Sequence, residues 1–107
     1  MKDKTKTKIL PEDKVKLTQD QKNLIGLAFD KQVPPEDARI IEKVKIESKN
    51  GENPFTRLSQ YFTAKYGLDF GMIYLSAILG GKEKYEETVE SIESVKALDR
   101  IKNNKLN

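Results

Sequence analysis

The sequence predicts an all-α fold, a compact bundle of about five helices around a central apolar helix, with a basic N-terminal arm. Three observations support this prediction. Apolar residues recur at helical spacing between well-marked cap, proline and glycine signals. No segment combines strand-like alternation with strand boundaries. The formal charge of +3 lies wholly within residues 1–8, so a basic arm adjoins an electrically balanced body.

The first two predicted helices cover approximately residues 18–31 and 35–49. Thr18 is followed three residues later by Gln21, which is the spacing of a capping box. Pro34 ends the first helix because it disfavours α geometry at the residue before it, and Pro35 suits the first position of the next. Asn50-Gly51 supplies a stop signal. The apolar and acidic positions that fit this assignment are Leu24, Ile25, Ala28 and Phe29 in the first helix, and Glu36, Asp37, Ile40, Ile41 and Val44 in the second.

The third and fourth predicted helices cover residues 54–66 and 69–79. Asn53 and Pro54 form a cap-then-proline start, and Gly67 ends the third helix. Asp69 is placed to cap the fourth, and Gly80-Gly81 ends it. The apolar run of the third helix is Phe55, Leu58, Phe62 and Tyr66. The fourth helix is apolar on nearly every side, so we expect it to be the buried centre of the bundle.

The fifth predicted helix, residues 82–102, is the longest and is amphipathic. Glutamates crowd its first half, while Lys96, Arg100 and Lys102 lie towards its end, which complements the helix dipole. Its predicted apolar stripe consists of Tyr85, Val89, Ile92, Val95 and Leu98. The sequence therefore divides into a basic, polar arm and leader (1–16), one helical domain (17–102) and a polar tail (103–107).

The composition argues against an enzyme. The chain contains no histidine and no cysteine, which removes the imidazole acid or base, the thiolate and the usual zinc ligands. Carboxylate pairs such as Glu86 and Glu90 fit the solvated face of a helix better than a catalytic cleft. Gly80-Gly81-Lys82 lacks the upstream strand and the spacing of a phosphate loop. We therefore expect no catalytic residue, no bound cofactor and no metal site.

The same composition predicts a cytoplasmic protein without a membrane partner. The absence of cysteine is typical of a reducing compartment, and no secretory signal follows the first lysines. The longest apolar stretch, residues 70–79, is too short to span a bilayer. Lysine outnumbers arginine 17 to 3, a bias typical of low-GC bacteria and their mobile elements. This bias suggests a phage or mobile-element protein, located in the host cytoplasm or the virion.

The function predicted from these features is that of a small adaptor, assembly or regulatory protein that binds another protein or copies of itself. The polar face of helix 82–102 and the leader are the expected contact regions. The acidic side chains Glu83, Glu86, Glu87, Glu90 and Glu93 form a strip along which a basic arm, from the same or a neighbouring copy, could lie. The candidate partner-binding residues are Lys2, Lys4, Lys6, Lys8, Ile9, Leu10, Glu86, Glu90 and Glu93.

The alternative is a nucleic-acid-binding accessory protein. Its lysine-rich arm would neutralise phosphates together with the basic residues Lys14, Lys16, Arg100, Lys102 and Lys105. The segment from Ser59 to Ile78 has the outline of a helix-turn-helix. Its second helix, however, offers a single charged residue, Asp69, and a recognition helix needs basic or amide side chains. Salt dependence separates the alternatives, because phosphate binding weakens steeply with salt and a packed protein interface does not.

Overall fold

The computed structural model describes residues 8–48 and 53–106, with side chains as far as residue 103. These residues form four α-helices and no strand: α1 (Gln19–Phe29), α2 (Pro35–Glu47), α3 (Pro54–Tyr66) and α4 (Leu68–Leu106). A short 3-10 turn at Pro11–Asp13 precedes α1. The all-α bundle predicted from the sequence is therefore confirmed.

The prediction of five helices is wrong in its count, because the fourth and fifth predicted helices are joined in α4. Gly81 has a left-handed φ of 73° and a ψ of −161°, so the helical backbone is interrupted there and α4 consists of two helical segments that meet at a kink. Only glycine adopts this conformation at little cost, so the predicted break is present as a change of direction. The second segment continues past the predicted end at residue 102 as far as Leu106.

The predicted start signals of α1, α2 and α3 are confirmed. The Thr18 hydroxyl accepts a hydrogen bond from the Gln21 amide at 3.1 Å, and the Gln21 side chain accepts one from the Thr18 amide at 2.9 Å. Pro35 is the first residue of α2. The Asn53 side chain accepts a hydrogen bond from the Phe55 amide at 3.0 Å. The predicted stop at Asn50-Gly51 lies outside the described residues.

Gly67 joins α3 to α4 without a loop. Its φ of 97° ends α3, and its carbonyl accepts the first hydrogen bond of α4, from the Gly71 amide at 2.8 Å. Asp69 is therefore not the cap that the sequence suggests. It lies in the first turn of α4, and its carboxylate is 3.7 Å from the ammonium of Lys96.

The core is centred on the part of α4 that precedes Gly81, as predicted. Its fully or almost fully buried side chains pack against one face of each of the other helices. Burying a large apolar side chain contributes about 1.5–3 kcal/mol, so these contacts dominate the stability of the bundle. The buried residues are Phe70, Ile73, Tyr74, Leu75 and Ala77 of α4, Ile25 and Ala28 of α1, Ile41 and Val44 of α2, and Leu58 and Phe62 of α3.

The backbones of α3 and α4 approach closely at Gly71. A Cβ atom at this position would lie 2.5 Å from the carbonyl oxygen of Phe62 and 2.7 Å from the Cα atom of Thr63. Because the obstructing atoms belong to the backbone, no side-chain rotation relieves the clash. Gly71 is therefore required by the packing distance between the helices rather than by its own φ.

No helix in the described ranges, 8–48 and 53–106, is both long enough and apolar enough to cross a membrane. The described residues before α1, which begin at Lys8, do not extend away from the bundle. They run along the C-terminal half of α4, where side chains of the two segments form the contacts described below.

We expect Gly71→Ala to lower the free energy of unfolding by about 1–3 kcal/mol, because it forces α3 and α4 apart. Gly26→Ala is the matched control, since a Cβ at Gly26 would meet nothing within 4 Å. That substitution should raise stability by about 0.5–1 kcal/mol through its helix propensity. Urea unfolding followed by circular dichroism measures both. Equal effects of the two substitutions would contradict the close approach.

Candidate functional site

One buried carboxylate, that of Asp37 in the first turn of α2, is held by four donors. The Tyr61 hydroxyl and the Lys65 ammonium lie 3.2 Å and 2.9 Å from Oδ1. The hydroxyls of Tyr66 and Tyr74 donate to Oδ2, the latter at 3.2 Å. Asp37 is 0% exposed. Three donors lie on α3 and one on α4, so a single side chain ties three helices together.

The electrostatics of this cluster maintain a buried anion. Burial acts to raise the pKa of Asp37, but hydrogen bonds from Tyr66 and Lys65 outweigh it and hold that pKa below its usual value. Burial, followed by the hydrogen bond to Asp37, raises the pKa of Tyr66 to about 12. The hydrogen bond to Asp37 also raises the pKa of Lys65. At neutral pH the cluster therefore contains the Asp37 anion and the Lys65 cation, and Tyr66 donates as a neutral hydroxyl.

The Asp37 carboxylate has no unoccupied lone-pair position with which to bind a ligand. A carboxylate offers about four lone-pair positions, and its four donors occupy them. It holds the helices together rather than binding a ligand. Sequence reasoning missed the cluster, since it assigned Asp37 to a helix start and Tyr66 to an apolar stripe. No sequence spacing brings Tyr74 to Asp37, because the two meet only when α4 packs against α2 and α3.

A second buried carboxylate, that of Asp13, fixes the leader to α4. The Arg100 guanidinium contacts Asp13 at 2.9 Å through Nη2 and at 3.2 Å through Nε, and it also donates to the Lys8 carbonyl at 3.2 Å. The Leu10 amide donates to Asp13 at 2.9 Å. The hydrogen bond from Arg100 lowers the pKa of Asp13, and the same bond raises the pKa of Arg100. Both groups remain charged throughout the neutral range.

The leader makes a second attachment one to two turns earlier on α4. The Val15 amide donates to the Glu93 carboxylate at 2.9 Å, and the Lys14 ammonium lies 3.8 Å from the same carboxylate. Ala97, between Glu93 and Arg100, is 0% exposed. Residues 8–15 thus cover one side of α4 and are held at two points along it.

The structure separates the residues predicted to bind a partner. Ile9 and Leu10 are half-buried, Lys8 is exposed, and Glu93 is occupied by the leader. Glu86 and Glu90 are exposed and line an open groove with the other members of the acidic strip, namely Glu83, Glu87 and Glu93, and with Val89. Lys2, Lys4 and Lys6 lie outside the described residues.

The residues of the nucleic-acid alternative do not form one patch. Arg100 is engaged by Asp13 and by the Lys8 carbonyl. Lys14 lies beside Glu93, whereas Lys16 and Lys102 are exposed. The side chain of Lys105 lies outside the described residues.

The C-terminal half of α4 exposes an apolar face that the sequence did not predict. Val95, Leu98 and Ile101, here called the outer stripe, are 54%, 55% and 37% exposed. Tyr85, Val89 and Ile92 pack against the core, but the predicted continuation of their stripe through Val95 and Leu98 is wrong. Beyond Ile92 the covered positions belong to Lys96, Ala97 and Arg100, which meet Asp69 and the leader.

Among the described residues, no group of three or more acidic side chains is arranged to hold a metal ion. No protein-family model, curated protein sequence or solved structure matches this chain. The functional interpretation therefore rests on the geometry and charge of its own residues, and the outer stripe with the adjoining acidic strip is the candidate site.

We expect Asp37→Asn to lower the free energy of unfolding by about 3 kcal/mol at neutral pH, because Lys65 loses its buried counter-ion. A depressed folded-state pKa stabilises the fold above the unfolded value of about 3.9, and this contribution is lost as the pH falls through the folded-state value. The difference between the two proteins should therefore shrink in acid. Chemical unfolding at several pH values measures it. Glu36→Gln is the control. The Glu36 carboxylate lies 3.0 Å from the same lysine ammonium, but the Glu36 side chain is 73% exposed.

We expect Arg100→Met to release the leader from α4 while leaving the core intact, since the substitution removes the partner of Asp13. Hydrogen exchange at the Val15 amide should accelerate at least tenfold, whereas exchange in the first part of α4 should not change. Lys102→Met, on the same helix but without a leader contact, is the control. Unchanged exchange at Val15 would show that the Glu93 attachment alone retains the leader.

Proposed function

We propose that this chain is a small non-enzymatic interaction or assembly protein that binds its protein partner through the outer stripe of α4. The observation that carries the proposal is the exposure of Val95, Leu98 and Ile101 on one helix face. Single exposed apolar residues are common, but an apolar patch bordered by charged residues is typical of a protein interaction site. Here the border on one side is the acidic strip.

The buried titratable groups are already paired within the fold, and this pairing supports a non-enzymatic role. Asp37 is saturated by its four donors, and Asp13 is paired with Arg100. Active sites usually contain titratable groups with perturbed pKa values that face a cleft. The perturbed groups here face the interior of the bundle or the leader, where they stabilise the fold.

The leader contributes to this proposal by shaping the surface rather than by reaching a partner. Its Val15 amide and Asp13 carboxylate form hydrogen bonds with Glu93 and Arg100 of α4. Residues 8–15 therefore cover the side of the helix next to the acidic strip. The free face of α4 is thereby narrowed to the outer stripe and the exposed glutamates. We infer that the partner meets apolar side chains at the centre and carboxylates at one edge.

Nucleic acid is the second choice of partner. Arg100 is held by Asp13, and five glutamates on the same helix repel phosphates. A lysine-rich arm alone gives weak, salt-sensitive binding. The bias toward lysine, together with the absence of cysteine, further suggests a protein of the cytoplasm of a low-GC bacterium or of one of its mobile elements.

Site-specific photo-crosslinking tests the proposal. A benzophenone amino acid at Leu98 of the full chain, expressed in its native cells, should give a discrete protein adduct. The same probe at Leu68, which is 74% exposed near the other end of α4, should not. Val95→Glu in the Leu98 probe protein should remove the adduct without changing the circular dichroism spectrum. Equal adducts at both positions, or none at Leu98, would contradict the proposal.

A nucleic-acid titration tests the alternative function. We expect the full chain to bind a DNA duplex only at low salt. Binding that persists at physiological salt in a chain starting at Leu17 would favour the alternative function, because that chain lacks the arm and the leader.

A further inference from the structure

We infer that Gly81 is a hinge and that the second segment of α4, residues 82–106, exchanges between two copies of this chain. In the exchanged dimer α4 is one straight helix, and its second segment packs against the bundle of the other copy. The surface that receives the segment is the same surface on which it lies in the single chain. The inference goes beyond the proposed function, because the outer stripe takes no part in the exchange.

Two contacts show that the second segment of α4 folds back along the first. The Asp69 carboxylate lies 3.7 Å from the Lys96 ammonium, and the hydroxyl oxygens of Ser76 and Thr88 lie 2.7 Å apart. In a straight helix Asp69 and Lys96 would be separated by about 40 Å, at the rise per residue of an α-helix. The two segments therefore form an antiparallel hairpin, and the chain reverses its direction at Gly81.

The turn of this hairpin depends on a single residue. The two segments adjoin it directly, since Gly81 is the position inside α4 with non-helical φ and ψ. Its φ of 73° and ψ of −161° belong to a region that is essentially restricted to glycine. With helical φ and ψ at this one position, residues 68–106 become a continuous helix. A connection as short as this favours the exchange of a segment between copies.

The second copy is identified as the partner by the contacts that the second segment already makes. The Tyr85 ring packs edge to face against Phe29 of α1, with the ring centroids 5.4 Å apart, and Val89 and Ile92 pack against the core. The polar attachments to the leader, described above, add to these contacts. The partners of the segment all lie outside it, so a second copy supplies the same partners at the same positions. Exchange therefore retains these contacts and changes the backbone only at the hinge.

The balance between the single chain and the exchanged dimer depends on concentration. Within one chain, the short connection presents the second segment to its own bundle at an effective concentration in the millimolar range. Glycine adopts the turn conformation at little cost, so the hinge itself does not force the hairpin open. We therefore expect the single chain to predominate at micromolar concentration and the exchanged dimer to be populated at millimolar concentration.

Gly81→Ala tests the hinge. Alanine disfavours the turn conformation in each of the two chains and favours the straight helix, so the dissociation constant of the dimer should fall by about thirtyfold or more. Gly26→Ala, in the interior of α1, is the matched control and should leave that constant unchanged. Sedimentation equilibrium measures the association, and circular dichroism checks that both variants fold. A folded Gly81→Ala variant that remains as monomeric as the control would overturn the inference.

Engineered cysteines identify exchange directly and do not require Gly81→Ala to fold. The natural chain has no cysteine. The double variant Ser76→Cys/Thr88→Cys has one thiol on each segment, in place of hydroxyl oxygens that lie 2.7 Å apart, so a disulfide should form across the hairpin. In the single chain this disulfide is internal, whereas in the exchanged dimer it joins two chains.

We expect oxidation of the double variant at micromolar concentration to give an internally linked monomer on a non-reducing gel. Oxidation after equilibration at millimolar concentration should also give a covalent dimer, in excess of the collisional background that Ser76→Cys alone provides. An internally linked monomer at every concentration would contradict exchange, and association of two closed chains through their surfaces would give that same result. The photo-crosslink at Leu98 tests the proposed function separately, because neither outcome changes the outer stripe.

Discussion

The buried charge of Asp37 is the constraint on which the arrangement of the helices depends. A carboxylate removed from water is costly unless every lone pair finds a donor, and here the donors come from two other helices. Any shift of α2 relative to α3 or α4 would leave part of this charge unsatisfied. The apolar core supplies most of the stabilising free energy, but apolar contacts tolerate sliding far better than a four-donor cluster does. The cluster therefore specifies one packing among those that the core alone would permit.

The same helix that completes the core also presents the candidate site, and the leader determines how its surface is divided. Before Gly81, α4 is buried on nearly all sides. After the kink, one side packs against the bundle through Tyr85, Val89 and Ile92, and an adjacent side is covered by residues 8–15. What remains is a face on which an apolar stripe borders a row of carboxylates. The surface available to a partner is thus the part of α4 that neither the bundle nor residues 8–15 cover.

Much of the local structure could be predicted because it depends on neighbours in sequence. The capping box at Thr18, the prolines that begin α2 and α3, and the apolar centre of α4 all follow from contacts within a few residues. The exposure of Val95 and Leu98 could not be predicted. Periodicity shows which residues share a helix face, but it does not show how far along the helix the rest of the bundle extends. The core ends near Ile92, and Asp69 and the leader cover α4 beyond it.

By itself, the sequence determined the fold class, the starts of three helices, an interruption of the helix at Gly80-Gly81 and the separation of acidic from basic residues along α4. These features follow from backbone geometry and residue type, which act locally. Only the tertiary structure decided which charges are buried and which apolar side chains face outward. Asp37 meets Tyr74 across 37 residues, and Asp13 meets Arg100 across 87 residues. Such pairings depend on the docking of whole helices. An unpaired charge costs much free energy only where the docked helices exclude water from it.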